Sequence, residues 1–317
     1  MFNNIEERLL GSKEEDRSNL KWKVWVESKK IWRVAAPGVL ARVTSFGLLV
    51  VTQSFIGHIS ELELAAYALV QTFIVRFANG ILVSSLLCIL LLCKHLALWY
   101  NSILVLIAGY MSDAEIAISA FSICLNISAW QLMIFLGFLG AACVRVANEL
   151  GRGDSKAVKF SIKVIMSTSI VLGLVFFILC LIFGHNIGYL FTSNEEVAET
   201  VANLSVLLAF TMLLSSIQPV LAGVAIGAGL QGTVAIINLC CYYVIGIPLG
   251  AVLAYVVGLE IKGIWIGMLS GVALQILALS FMIWRTDWDL QVVKASERLG
   301  RWGSKPSEEP DESLNHD

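Results

Sequence analysis

Long apolar runs separated by polar breaks set the rhythm of this chain. After a charged opening through Arg33, the runs occupy about 34–57, 64–93, 96–111, 116–143, 164–190, 201–226, 234–257 and 263–284. A bilayer's hydrocarbon core takes about 20 helical residues to cross, so each run is read as a membrane helix, and the over-long 64–93 run is expected to tilt or end early. The backbone must satisfy its own polar groups in lipid, which favours helices for runs of this length. The pattern predicts an all-α, polytopic membrane helix bundle of about eight spans. Pro37 falls near the start of the 34–57 helix, where a missing N–H costs least.

Composition agrees with a membrane setting. Hydrophobic residues make up 57% of the chain, charged residues 15%, and the mean hydropathy is +0.79, which leaves too few polar groups to coat a soluble globule. Membrane lipid is the expected surrounding. A net charge of -2 and the lack of a basic patch with interleaved aromatics argue against a nucleic-acid partner.

The Lys and Arg residues report topology instead. Eight lie in the segment ending at Arg33, Lys94 stands in the second loop, five occupy the Arg145 to Lys163 loop, and five follow Trp284. The alternate loops, 58–63, 112–115, 191–200 and 258–262, hold only Lys262. Both termini are therefore expected on the cytoplasmic side. The 227–232 loop is uncharged and carries no vote. Arg42, only eight residues past Val34, is expected to snorkel to the cytoplasmic surface.

The seven cysteines fall in or beside apolar runs without a Cys-x-x-Cys pair, and His58, His95, His185 and His316 are scattered. They are read as buried apolar fillers and isolated imidazoles, so neither a metal nor another cofactor is expected. No nucleophile, base and acid cluster or phosphate loop is present, which argues against an enzyme.

An internal repeat supports transport. A shift of 52 residues lays Gly57-His-Ile-Ser-Glu-Leu-Glu-Leu-Ala-Ala-Tyr-Ala68 on Gly109-Tyr-Met-Ser-Asp-Ala-Glu-Ile-Ala-Ile-Ser-Ala120 without a gap. Repeated helix bundles with a substrate path between them are how several transporter folds are built. The second copy runs on through a charged, Gly-containing loop into four more spans, whereas the first reaches Lys94-His95 within about 30 residues. By this count the first lobe lacks four helices, a gap on the order of 100 to 170 residues at about 20 residues per span plus short loops. The expected organisation is a cytoplasmic segment over 1–33, a partial first lobe of two helices over 34–93, a six-helix second lobe over 94–285, and a cytoplasmic tail over 286–317.

The stretch Arg145-Val-Ala-Asn-Glu-Leu-Gly151, followed by Lys156-Ala-Val-Lys-Phe160, resembles the signature loop of plant multidrug and toxic compound extrusion (MATE) transporters, the DETOXIFICATION family. Gln53 to Tyr67, Arg76-Phe-Ala-Asn79, Trp99-Tyr-Asn101, Gln218-Pro-Val-Leu-Ala-Gly-Val-Ala225 and Asn238 to Gly250 are similar to further stretches of that family, in family order. The resemblance implies twelve spans in two six-helix lobes, of which this chain carries about two thirds. It also implies antiport, in which organic cations, xenobiotics or flavonoid-like metabolites leave in exchange for protons, with the Gln218-Pro219 branch pointing to phenolic substrates. Acids of the family fall at positions held here by Ala97, Gln131 and Ser215, which removes the clearest proton acceptors.

Within the runs, the polar and aromatic groups that could line a substrate path are few. Gln53, Arg76 and Asn79 belong to the first lobe. Trp99, Tyr100, Asn126, Trp130 and Gln131 lie early in the second, and Gln218, Asn238, Tyr242 and Tyr243 late in it. Such groups can bind a flat organic molecule by hydrogen bonds, stacking and cation–π contact, or they can tie helices together. Arg76 either faces a cavity or fixes packing. Pro219 and Pro248 are candidate gating bends, and three runs of Gly-x-x-x-Gly offer small faces for close packing. Arg145, Asn148, Glu149 and Gly151 mark the cytoplasmic loop, with its charges expected in water. The competing reading is a non-transporting membrane protein that associates with full-length family members or is inactive. The membrane expected is the vacuolar or the plasma membrane.

Overall fold

The computed structural model describes residues 2–59, 114–191 and 195–303, and among them every regular element is helical. Five of these helices are long and apolar enough to cross a membrane: Ile123–Gly151, Ser155–Gly184, Glu195–Gly227, Gln231–Val256 and Glu260–Arg285. They correspond to the last five apolar runs, and the all-α membrane bundle is confirmed. The 64–93 and 96–111 runs lie outside the described residues.

In chain order the elements are α1 (Phe2–Ile59), α2 (Ala114–Gly151), α3 (Ser155–Ile187), a single 3-10 turn at Gly188–Leu190, and α4 (Glu195–Gly227). Then come α5 (Gln231–Leu239), α6 (Ile247–Ala251), α7 (Glu260–Arg285) and α8 (Trp288–Gly303). Two π-helical segments, Cys240–Gly246 and Val252–Val256, flank α6, so the Gln231–Val256 span is one winding rod with two wide turns. Pro248 sits at the start of α6 between them.

The helices overrun the apolar runs at their charged ends. Arg, Lys, Glu and Ala are good helix formers, so α2 continues through Arg145 and Glu149 to Gly151. Only Arg152 to Asp154 remain as a turn, and Asp154 caps α3 by accepting a hydrogen bond from the Ala157 amide at 2.9 Å. Likewise α1 is unbroken from Phe2, so Pro37 lies in a helix interior rather than near a helix start. Its missing N–H frees the Arg33 carbonyl.

α4 is the central post, packed on α2, α3 and α7. The Gly-x-x-x-Gly faces make the close contacts expected of them. A methyl group added at Gly267 of α7 would come within 2.3 Å of the Gly250 Cα on α6, so backbone meets backbone there.

α1 lies antiparallel along α2. Glu27 of α1 meets Arg145, Gly38 and Val39 meet Gly137, and Phe46 stacks edge-on against Trp130 with ring centroids 5.2 Å apart. A methyl group at Gly137 would fall 2.3 Å from Val39 Cγ2 and 2.9 Å from the Val39 amide nitrogen, so α1 is seated along the whole stretch from Glu27 to Phe46.

At the same end as Glu27, α8 lies across the turns. Trp288 and Gln291 are buried, Ser155 Oγ donates to Asp289 Oδ1 at 2.5 Å, and Arg298 lies against the Gly229 turn. The first half of the expected tail is thus an ordered amphipathic helix, capped by Asp287, whose carboxylate accepts from the Asp289 and Leu290 amides. The uncharged 228–230 turn falls at the end that carries Arg152, as charge alternation requires.

Candidate functional site

Among the described residues, three groups of buried polar side chains include the candidates read from the sequence. The first joins three helices at the charged end. Arg145 donates to Glu27 Oε1 through Nε at 2.9 Å and Nη2 at 2.5 Å, and Nη2 lies 2.7 Å from Glu149 Oε1. Ser161 of α3 also donates to Glu27 Oε1, and Lys30 reaches Oε2 at 3.3 Å. Glu149 is shared with the exposed Arg152 at 3.1 Å. Burial raises the Glu27 carboxyl, but the hydrogen bonds from Ser161 and Arg145 and the charges of Arg145 and Lys30 outweigh it, so its pKa is lowered from 4.5.

This corrects the expected setting of the signature residues. Arg145 is only 7% exposed and Glu149 4%, because α2 runs on past both to Gly151 and α1 packs along it. Asn148 and Gly151 are exposed, as are Arg152, Lys156, Lys159 and Lys163, which do keep their charges in water.

The second group joins the Gln231–Val256 span to α7. Tyr242 donates to Gln275 Oε1, and Gln275 Nε2 donates to Asn238 Oδ1 at 2.5 Å, all three buried. Asn238 and Tyr242 are therefore engaged in holding helices together. Gln275 is not among the residues singled out from the sequence, although a lone amide in the apolar 263–284 run is itself a signal of a helix-joining or functional group.

The third group centres on α4. Gln131 of α2 is 2% exposed and donates through Nε2 to the Met212 carbonyl at 2.7 Å, while its Oε1 has no hydrogen-bond partner among the described residues. One residue away, Thr211 accepts from Trp265 Nε1 of α7 at 2.8 Å, and Trp265 packs edge-on to Phe121. Gln131 thus presents a buried, unused acceptor inside the bundle, a group that costs free energy until a donor reaches it.

The remaining candidates do not converge. Trp130 is 37% exposed and packs on Phe46, Asn126 is exposed, and Gln218 and Tyr243 are half-buried. Pro219 is buried inside α4 and Pro248 is exposed. Arg76, Asn79, Trp99 and Tyr100, together with the side chain of Gln53, lie outside the described residues.

Comparison with known proteins gives this arrangement its family. The MatE family model matches residues 90–252. Protein DETOXIFICATION 24 of Arabidopsis thaliana is 36% identical over 481 aligned residues, covering 96% of this chain and 96% of that relative. Since this chain has 317 residues, at least a third of that alignment stands opposite a gap in it. Protein DETOXIFICATION 23 of Arabidopsis thaliana is 46% identical over 222 residues, 70% of this chain and 45% of that one. Among solved structures, the crystal structure of the eukaryotic MATE transporter AtDTX14 is similar at a TM-score of 0.60 and 32% identity, covering 66% of this chain and 47% of its own. An outward-facing multidrug resistance MATE transporter shares the fold at a TM-score of 0.55 and 15% identity. The chain spans about half the length of these solved structures. With a family model over half of its residues and relatives above 30% identity across nearly all of them, the chain belongs to the MATE family of membrane transporters.

Proposed function

We propose that this chain supplies the second lobe of an antiporter that exports organic cations, xenobiotics or flavonoid-like metabolites in exchange for protons, and that it transports weakly unless a complementing first lobe is present. The observation that carries this reading is the alignment of 481 positions with a 317-residue chain: the sequence similarity reaches both ends, while a stretch equal to several helices has no counterpart. Alternating access needs two lobes that rock about a cavity. Full-length family members are the natural source of the missing helices, and association with them is part of the proposal. Both termini are placed on the cytoplasmic side, in the vacuolar or the plasma membrane.

The chemistry of the second lobe fits binding better than proton uptake. Gln131 Oε1 can accept a hydrogen bond from a substrate hydroxyl or ammonium, but an amide cannot take up and release a proton near neutral pH. Glu27 and Glu149 are both ion-paired with Arg145 at the bundle's end. A proton-coupling carboxylate would then come with the complementing lobe.

Flux of a fluorescent organic cation and of a flavonoid glucoside, in vesicles under an imposed pH gradient, tests the reading. The chain alone should give near-background flux. The chain co-expressed with the first lobe of a family relative should restore gradient-dependent flux. Robust flux from the chain alone, abolished by Arg76→Ala, would overturn the need for a complement. Background flux in both cases, with both proteins inserted, would overturn the transport reading.

A further inference from the structure

The helix α8 is held at three points by the turns that it crosses. Ser155 Oγ, at the first position of α3, donates to Asp289 Oδ1 at 2.5 Å. A methyl group at Gly153 would touch Val292 Cγ1 at 3.9 Å, and one at Gly229 would strike the Arg298 guanidinium. Trp288 and Gln291 are buried by the same packing. This strap takes no part in the transport reading above, and only one of its three points is a hydroxyl that covalent chemistry can change.

That hydroxyl also lies in a sequence that a phosphorylating enzyme can read. Arg152 stands three residues before Ser155, with Gly153 and Asp154 between them, which is the spacing that basophilic protein kinases recognise. The Arg152 side chain is 65% exposed, and Ser155 itself is half-buried. Gly153, at φ 80, and Asp154, at φ -109 and ψ 91, have already left the helical conformation. Only the first turn of α3 has to fray for the stretch from Arg152 to Lys156 to lie extended in a kinase cleft, and helix ends fray readily. The same spacing occurs at Ser45 and Ser304. Ser45 falls inside an apolar run and donates to the Ala41 carbonyl at 2.7 Å, while Ser304 lies outside the described residues.

We propose that Ser155 is a phosphorylation site and that its phosphorylation unlatches α8. The γ-phosphoryl group of a nucleoside triphosphate, ATP, passes to Ser155 Oγ. The Oγ–P bond forms, the bond from the γ phosphorus to the departing ADP breaks, and the hydroxyl proton goes to the kinase's catalytic carboxylate. The product has no proton to give to Asp289. It carries instead a charge of about -1.5 to -2 beside that carboxylate, so repulsion replaces the hydrogen bond. Arg152 and Lys156, both exposed, offer the phosphate cationic partners on its own turn. The coupling is reciprocal: the hydroxyl that Asp289 holds is freed when α8 lifts, so whatever loosens α8 speeds the modification.

That a kinase meets this turn in a cell rests on the cytoplasmic placement proposed above. Nanodiscs leave both faces of the bundle open, so a test there bears on the site alone and not on the topology.

The full chain in nanodiscs is incubated with a basophilic calcium-dependent protein kinase, calcium and Mg-ATP, and phosphate is located by peptide mass spectrometry. Ser155 should take up phosphate. Arg152→Gln should slow that uptake at least tenfold, whereas Asp289→Ala should speed it at least threefold. Hydrogen exchange of the 288–298 amides, followed in a Ser304→Ala chain so that only Ser155 is in question, should quicken at least tenfold on phosphorylation and return on treatment with a phosphatase. No phosphate at Ser155, from a kinase that modifies a free peptide of residues 148–160, would overturn the site. Phosphate at Ser155 with unchanged exchange in α8, or uptake slowed by Asp289→Ala, would overturn the latch.

Discussion

Glu27 of α1 and Arg145 of α2, 118 residues apart in sequence, are joined by two hydrogen bonds to a single carboxylate oxygen, which Ser161 of α3 also reaches. Neither charge is accessible to water, being 5% and 7% exposed. One carboxylate therefore fixes the start of the α1 packing stretch to both α2 and α3.

Removing one partner leaves the other charge buried and uncompensated, a change that costs about 3 kcal/mol or more. Glu27→Gln should lower the thermal midpoint of the purified protein at pH 7 by several degrees, while Lys29→Gln, at an exposed neighbouring site, should leave it nearly unchanged.

The same pair sets a pH dependence. The Glu27 carboxyl has a folded-state pKa below its ordinary 4.5, so the stability that it contributes is fully present above about that pH and is lost as pH falls through the lower folded value. Midpoints of the unaltered chain and of Glu27→Gln, measured from pH 7 down to pH 3, should converge in acid. A constant difference across that range would show that the carboxylate's charge is not what holds α1.

Helix seating should be more sensitive at Gly137 than at Gly38. A Cβ at Gly137 meets the Val39 backbone at 2.9 Å, whereas one at Gly38 finds its nearest neighbour at an ordinary 3.7 Å. Gly137→Ala should therefore destabilise by about 1–3 kcal/mol, the usual cost of overpacking. Gly38→Ala should be close to neutral, and thermal melts of the two variants side by side check the contrast.

The Asn238, Gln275 and Tyr242 chain predicts a modest loss on Gln275→Leu, about 1 kcal/mol, since interhelical hydrogen bonds in membranes are individually weak. The loss should appear as a lowered thermal midpoint of the purified protein, because these groups are spent on one another.

Charge alternation predicts that Lys156, an exposed residue of the turn region, faces the cytoplasm. Lys156→Cys should resist an impermeant maleimide on intact cells and react after permeabilisation. Labelling of intact cells would invert the topology.

The helical bundle was legible because lipid forces long apolar runs into helices, and the runs ending at 226, 257 and 284 stop within a residue of the helices that end at Gly227, Val256 and Arg285. The charged ends were harder. Arg145 and Glu149 look like loop residues by composition, and only the helical phase that points them at α1 buries them. Glu27 sits in a segment of mixed charge, and nothing local marks it as the partner of Arg145. Gln131 was legible as an isolated intramembrane amide, but its unused oxygen depends on which carbonyl of α4 lies opposite.

The central structural claim is that α1 stays seated on α2, held by Glu27 at one end, Gly38 and Val39 in the middle and Phe46 at the other. The most direct measurement is cross-linking of Ala41→Cys to Met133→Cys, two positions that line one cleft between α1 and α2, in native membranes on a cysteine-depleted background. A short bifunctional thiol reagent should join them in high yield, equally with and without a pH gradient and with and without a transported cation. A yield that collapses when the gradient or the cation is applied would show that α1 leaves α2 during the working cycle, and would contradict the account.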